Sequence, residues 1–233
     1  MKKAICLSGH LRTYQKTSRV TLENIGGHDS DIFISTWDTT APPSNWRNSK
    51  EKVESTDDHL NKLMEIYQPK LLEVEVFDDF KRNYADDLKR KKLFDSVEPM
   101  MYKIWRSNQL RIEYQKIKNL KYDFIVRLRF DLLVDKKIEY INLDNKLSVL
   151  PCHRAERISD IFSIAPPEIM DSYCDAYNHL GEFLQTTQSL YCAEALLNWH
   201  LKRNGIPVSL LKARINLIRE NETTNWKLPI SFL

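Results

Sequence analysis

The segment best equipped for chemistry is Tyr122-Asp123-Phe124-Ile125-Val126-Arg127-Leu128-Arg129-Phe130-Asp131-Leu132. Read as one strand, its alternation puts Arg127, Arg129 and Asp131 on one face and Val126, Leu128, Phe130 and Leu132 on the other. A strand inside a parallel sheet is ordinarily apolar on both faces. Charges here must therefore pair, lie near the strand's carboxyl end, or serve a ligand. Guanidinium forks match phosphate oxygens, and a carboxylate at a strand end can hold a divalent cation that bridges a diphosphate. The set suits a diphosphate leaving group; the alternative is an internal Arg–Asp ion pair that closes the sheet against a helix.

Three more groups stand out. In Cys6-Leu7-Ser8-Gly9-His10-Leu11-Arg12-Thr13 a short apolar run ends in a small-residue turn. Backbone N–H groups and Arg12 would then stand at a helix N-terminus, where an anion is favoured. An ordinary strand-to-helix turn is the competing reading. Asp160 opens the apolar run Ile161-Phe162-Ser163-Ile164, and Glu194 opens a helical run through Leu196 and Leu197. Each is a candidate proton acceptor, or else a cap or first-turn acid that complements a helix dipole.

Several familiar chemistries are missing. The chain has no P-loop, no G-x-G-x-x-G, no G-x-S-x-G and no H-E-x-x-H. Its six histidines (His10, His28, His59, His153, His179, His200) contain no pair at metal-ligand spacing on one helix.

The elements that must position these groups alternate between strand and helix. Lys3 to Leu7 reads as a strand, Leu11 to Ile25 as a helix stopped by Gly26-Gly27, and Asp31 to Thr36 as a second strand, which makes a βαβ unit and implies a parallel sheet. A long loop with Pro42, Pro43 and Trp46 comes next, then a helix from Asp57 to Tyr67 and a strand from Leu71 to Phe77. Met100 to Lys118 fits a long helix with Met101, Ile104, Trp105, Asn108, Ile112 and Gln115 near one stripe. Tyr122 to Val134 is the strongest strand signal, with shorter strands at Leu147 to Leu150 and Asp160 to Ala165. Helices are expected at Pro167 to Leu180 and Ser189 to Asn204.

With 233 residues the chain fits one large domain at roughly 150 residues each. Thirty-five lysines and arginines against 32 acids give a net charge of +3 on a chain 29% charged and 42% hydrophobic. That balance speaks against a disordered polyelectrolyte and a dedicated nucleic-acid binder. No apolar run approaches the roughly 20 residues of a membrane span, and the start, Met1-Lys2-Lys3, reads as a first strand and not as a signal peptide. Cys6, Cys152, Cys174 and Cys192 show no zinc or redox spacing, which suggests reduced thiols in the cytoplasm. The basic run Lys89-Arg90-Lys91-Lys92 is either a solvated helix face or a contact with an anionic membrane surface.

In their order along the chain, these segments resemble a family of small GT-A-fold glycosyltransferases of the bacterial surface-polysaccharide and large-virus type. The matching pieces are Ala4 to Thr13, Asp31-Ile32-Phe33-Ile34-Ser35-Thr36-Trp37-Asp38, Met101 to Trp105 with Asn108, Tyr122 to Leu132, Asp160 to Ile164 with Met170 and Tyr173, and Glu194 to Leu197 with His200-Leu201 and Gly205-Ile206. The resemblance implies a single α/β domain over 1–233, with a mostly parallel central sheet flanked by helices. A nucleotide-binding half would cover about 1–135 and an acceptor half about 136–233. It also implies a nucleoside diphosphate sugar donor near Ser8, Gly9, Arg12, Trp37, Arg127 and Arg129, and a glycan acceptor. Asp131 would stand where GT-A enzymes place the carboxylate for Mn²⁺ or Mg²⁺. The chain departs from the usual Asp-x-Asp by offering Arg129-Phe130-Asp131, so the arginines take up part of the charge neutralisation. Asp160 is the first candidate base and Glu194 the second, with Trp37, Trp46 and Tyr191 as apolar platforms for a sugar ring. A sugar-phosphate transferase and a non-catalytic glycan- or nucleotide-binding module are the rival readings.

Overall fold

The computed structural model describes residues 1–40, 57–82, 97–140, 145–152, 157–186, 192–219 and 226–227. The expected βαβ opening is present as β1 (Lys3–Gly9), α1 (Tyr14–Asn24) and β2 (Ser30–Trp37). Next come α2 (Asp57–Tyr67), β3 (Leu71–Glu75), α3 (Phe77–Arg82) and the long helix α4 (Glu98–Lys118). The second part of the chain supplies β4 (Phe124–Leu128), β5 (Leu132–Val134), β6 (Leu147–Val149), β7 (Phe162–Ala165), α5 (Pro167–Asp175), α6 (Leu180–Thr186), α7 (Ala193–Arg203), β8 (Val208–Leu210), β9 (Ile215–Leu217) and β10 (Trp226–Lys227).

Seven of the described strands form one sheet in the order β3-β2-β1-β4-β7-β6-β8. The β1–β2, β2–β3, β1–β4 and β6–β8 pairs are parallel, while β7 runs antiparallel to both β4 and β6. The architecture is thus α/β with a mostly parallel central sheet, and β7 is its reversed strand. A second sheet of three strands, β10-β9-β5, packs beside it and was not expected from the sequence. The β4–β7 and β5–β9 ladders both join residues before 135 to residues after it, so the two halves share their sheets.

Alternation along β1 sorts its side chains between two cores. Ala4 and Cys6 face Met101 and Ile104 of α4, with Tyr173 of α5 and Leu196 of α7 in the same cluster. Ile5 and Leu7 face Tyr14 and Leu22 of α1 and Leu63 and Tyr67 of α2. Burial on both faces explains why β1, β2 and β4 read as nearly continuous apolar runs. Helix α4 stops where Asn119 takes a left-handed conformation (φ 50°), with its N–H and that of Leu120 turned back to the carbonyls of Lys116 and Gln115.

Candidate functional site

From β1 the chain winds through α1 to β2 and on to β3 on one side, whereas β4 pairs with the other edge of β1. In an open α/β sheet such a switch point leaves a crevice outside the strands' carboxyl ends, where ligands bind. Here those ends are Gly9 and Leu128.

Beyond Leu128 the chain departs from the single strand expected between Tyr122 and Val134. The first sheet releases it at Leu128, residues 129–131 form a bend, and β5 joins the second sheet. Arg129 and Asp131 therefore lie past the end of β4, not on a common face with Arg127. Helix α1 fixes the bend. Thr17 Oγ1 donates to the Phe130 carbonyl (2.6 Å), Thr21 Oγ1 to that of Leu132 (2.7 Å), and Asn24 Nδ2 to that of Val134 (2.8 Å). One turn earlier, Thr13 Oγ1 donates to the carbonyl of Ile218 (2.6 Å), and Ile218 N–H donates to that of Asp131 (2.8 Å). A polar stripe at positions 13, 17, 21 and 24 is one face of a helix. It satisfies carbonyls that would otherwise be buried without partners, at about 1 kcal/mol of net stabilisation for each bond.

Arg129, Arg12 and Arg127 reach this end of the sheet. Arg129 grips Asp131 in a two-point fork, Nε to Oδ1 at 3.0 Å and Nη2 to Oδ2 at 2.6 Å. Arg12 approaches the same carboxylate, with Nε 3.6 Å from Oδ2. Arg12 itself holds a left-handed backbone conformation (φ 48°), a strained choice for a residue with a side chain, secured by its N–H donating to the Thr40 carbonyl at 2.7 Å. That N–H is therefore committed within the turn, and Arg12 serves through its side chain. Arg127 points elsewhere: Nε and Nη2 donate to Ser8 Oγ at 3.3 and 3.0 Å, and Nη1 donates to the Asp160 carbonyl.

Asp131 has no exposed surface, whereas the side chains of Arg129 and Arg12 are 13% and 27% exposed. Solvent therefore reaches the guanidinium groups and not the carboxylate. Burial pushes the Asp131 carboxyl up, but Arg129 and Arg12 outweigh it and hold it below the usual range. Burial, then Arg129, draws Arg12 down to about 10.

The two candidate bases also come together. Asp160 is half-buried at the amino end of β7, and burial followed by the nearby Glu194 raises its carboxyl, with Arg129 and Arg127 opposing. Glu194 lies in the first turn of α7, and its carbonyl accepts a hydrogen bond from Ile158 N–H (3.2 Å), which docks the segment leading to Asp160 against that helix.

Trp37 is not brought to this cluster. Its ring is buried between Phe77, Phe80 and Tyr102, with the Lys103 ammonium 4.1 Å from its centroid. Trp46, Tyr191 and the basic run 89–92 lie outside the described residues. The sequence reading missed three residues. His10 is buried with Nδ1 3.0 Å from both the carbonyl and the hydroxyl of Thr39; burial, then Arg12, lowers it to about 3, so the ring is neutral. Lys103 is fully buried and pairs with Glu75 at 2.5 Å. Arg219 comes just after β9 and acts electrostatically on both Arg12 and Asp131. The three residues of β9 that lead to it are too few to show a period in the sequence.

The donor set fits a divalent cation poorly. Both oxygens of Asp131 are engaged by Arg129, a second guanidinium stands beside it, and a dication placed there would face like charges. Among the described residues no group of three or more His, Cys, Asp or Glu side chains is arranged to share a metal ion. Nor is any described helix long and apolar enough to cross a membrane. No family model matches the chain, and no curated protein matches it.

Proposed function

We propose that this chain is a GT-A-type glycosyltransferase that moves a sugar from a nucleoside diphosphate donor to a hydroxyl of a glycan. The observation that carries this reading is the gathering of Arg12, Arg129 and Arg219 around one buried carboxylate at the switch point, beside Asp160 and Glu194. As the glycosidic bond breaks, negative charge accumulates on the diphosphate, and cations fixed beforehand stabilise that charge without reorganising. Arg127 and Ser8 brace the floor of the site, holding β1, β4 and the residues before β7 together.

An acceptor hydroxyl must lose its proton as it attacks. A carboxylate whose affinity for protons is raised is a better base than an ordinary one. Asp160 fills that role, and Glu194 tunes it by like-charge repulsion. We place the reaction in the cytoplasm, in keeping with the cysteine usage, and assign the donor to the half of the chain that carries β1 to β4.

The test is a panel of nucleotide sugars with subsequent product analysis. A new glycosidic bond and a released nucleoside diphosphate support the reading. A phosphodiester product with a released nucleoside monophosphate identifies a sugar-phosphate transferase instead, and binding without turnover across a broad acceptor panel identifies a binding module.

A further inference from the structure

We infer that the site seats the two phosphates of its donor with guanidinium groups alone, without a divalent cation, and that Arg219 supplies the donor left open for them. The inference rests on the reading of the crevice as a diphosphate site and names how the charge is met there.

Asp131 is the first reason. A metal-holding carboxylate must offer a lone pair toward the ligand, yet this one has no exposed surface and gives both oxygens to Arg129, with Arg12 alongside. It acts as an internal counter-ion that aims two guanidiniums. The charge balance is the second reason. Arg12, Arg127, Arg129 and Arg219 stand against two carboxylates, Asp131 and Asp160, a surplus of two positive charges, which two ionised phosphodiester-like groups neutralise. Arg127 joins this group through the Asp160 carbonyl, and the Asp160 carboxylate acts electrostatically on Arg129 and Arg12 as well.

Arg219 is the third. Its Nε is shielded from solvent and has no hydrogen-bond partner among the described residues. Buried donors in folded proteins are almost always satisfied, so an open one calls for a partner. The residue is not loosely placed: its neighbour Ile218 is fixed on both sides, N–H to the Asp131 carbonyl and carbonyl to Thr13 Oγ1. The second sheet thus carries a guanidinium with an open Nε to a cluster that already has excess positive charge.

Calorimetric titration of the full chain with inorganic pyrophosphate, in excess EDTA and again with Mn²⁺, tests this. Binding is expected to persist in EDTA and not to tighten with Mn²⁺. Arg219→Gln should weaken it at least tenfold while leaving the melting temperature unchanged or higher, because the variant removes a positive charge that has no partner at Nε. Arg12→Gln, altered at the more exposed tip, should weaken it as well. Binding that requires Mn²⁺, or an Arg219→Gln chain that binds as the wild type does, overturns the inference. Failure of the broader reading looks different: pyrophosphate would bind in EDTA through Arg219, yet no nucleotide sugar would be consumed. Sugar transfer that occurs only with Mn²⁺ would instead sink the inference and spare the reading.

Discussion

Arg129 and Asp131, separated by one residue in the bend between the two sheets, face each other in a two-point fork with contacts of 3.0 and 2.6 Å. Phe130 between them turns inward to the α1 core, and its carbonyl is held by Thr17. The pair is thus built by an apolar anchor and a helix hydroxyl, and its geometry does not depend on a ligand.

Removing one member of a buried pair strands the other. Asp131→Asn leaves the Arg129 and Arg12 charges without their counter-ion and is expected to cost about 3 to 5 kcal/mol, measured by urea unfolding at pH 7. Because the Asp131 carboxyl is held below its ordinary value, its contribution is complete above about pH 3.8 and is lost as the pH falls further. The difference between wild type and variant should shrink in that acid window and remain constant above it.

Asp160 carries the opposite sign. Its carboxyl is raised, so its ionisation works against the fold, and the stability it contributes declines as the pH rises through its folded value. Asp160→Asn should therefore unfold at a higher urea concentration than wild type at pH 7. Glu194→Gln removes the repelling charge and should move the acidic limb of the pH–rate profile to lower pH. A profile that does not move would detach Glu194 from the base.

His10 gives a third handle on pH. A ring that protonates near 6.5 when unfolded and about 3 when folded makes the unfolded state bind more protons between those values. Stability should then fall as the pH drops below 6.5, by up to ~1.4 kcal/mol per pH unit. His10→Gln, which keeps a polar group facing Thr39, should flatten this slope in chemical denaturation series.

How much of this could be read from the sequence depended on the range of the interactions. The βαβ opening was legible because both periodicities are local: alternation in β1 and β2, and the helical recurrence of Leu11, Tyr14 and Leu22. The break after Leu128 was not, since residues 129–131 contain no Gly or Pro and the bend is imposed from outside by Thr17 and Thr21 of α1, which hold the carbonyls of Phe130 and Leu132. The reversal of β7 leaves no mark in its own four residues. β8, β9 and β10 have only two or three residues each, too short to show a period. In the site, residue types pointed to Arg127, Arg129 and Asp131 together, but the division of labour among them came from the bend. Arg219 came from a strand pairing that only tertiary contact creates.

The Lys103–Glu75 pair tests a buried charge away from the crevice. Lys103 has no exposed surface, whereas the Glu75 side chain is 35% exposed and also accepts the Tyr102 hydroxyl at 2.9 Å. Loss of Glu75 isolates an ammonium in the interior, whereas loss of Lys103 leaves a carboxylate that reaches water. Glu75→Gln should therefore destabilise more than Lys103→Met, by at least about 1 kcal/mol in thermal or urea unfolding. Equal losses would show that the ammonium finds another partner.

The central claim is that the arginine cluster at the switch point hands a sugar from a nucleotide to a hydroxyl with Asp160 as base. Its most direct test is nucleoside diphosphate release from a nucleotide-sugar panel with glycan acceptors, for wild type and Asp160→Asn side by side. The account predicts turnover of at least one donor by the wild type, and a loss of about 10² to 10⁴-fold in a variant that is folded and still binds pyrophosphate. Turnover unchanged in Asp160→Asn, or no donor consumed by the wild type with any acceptor, would contradict it.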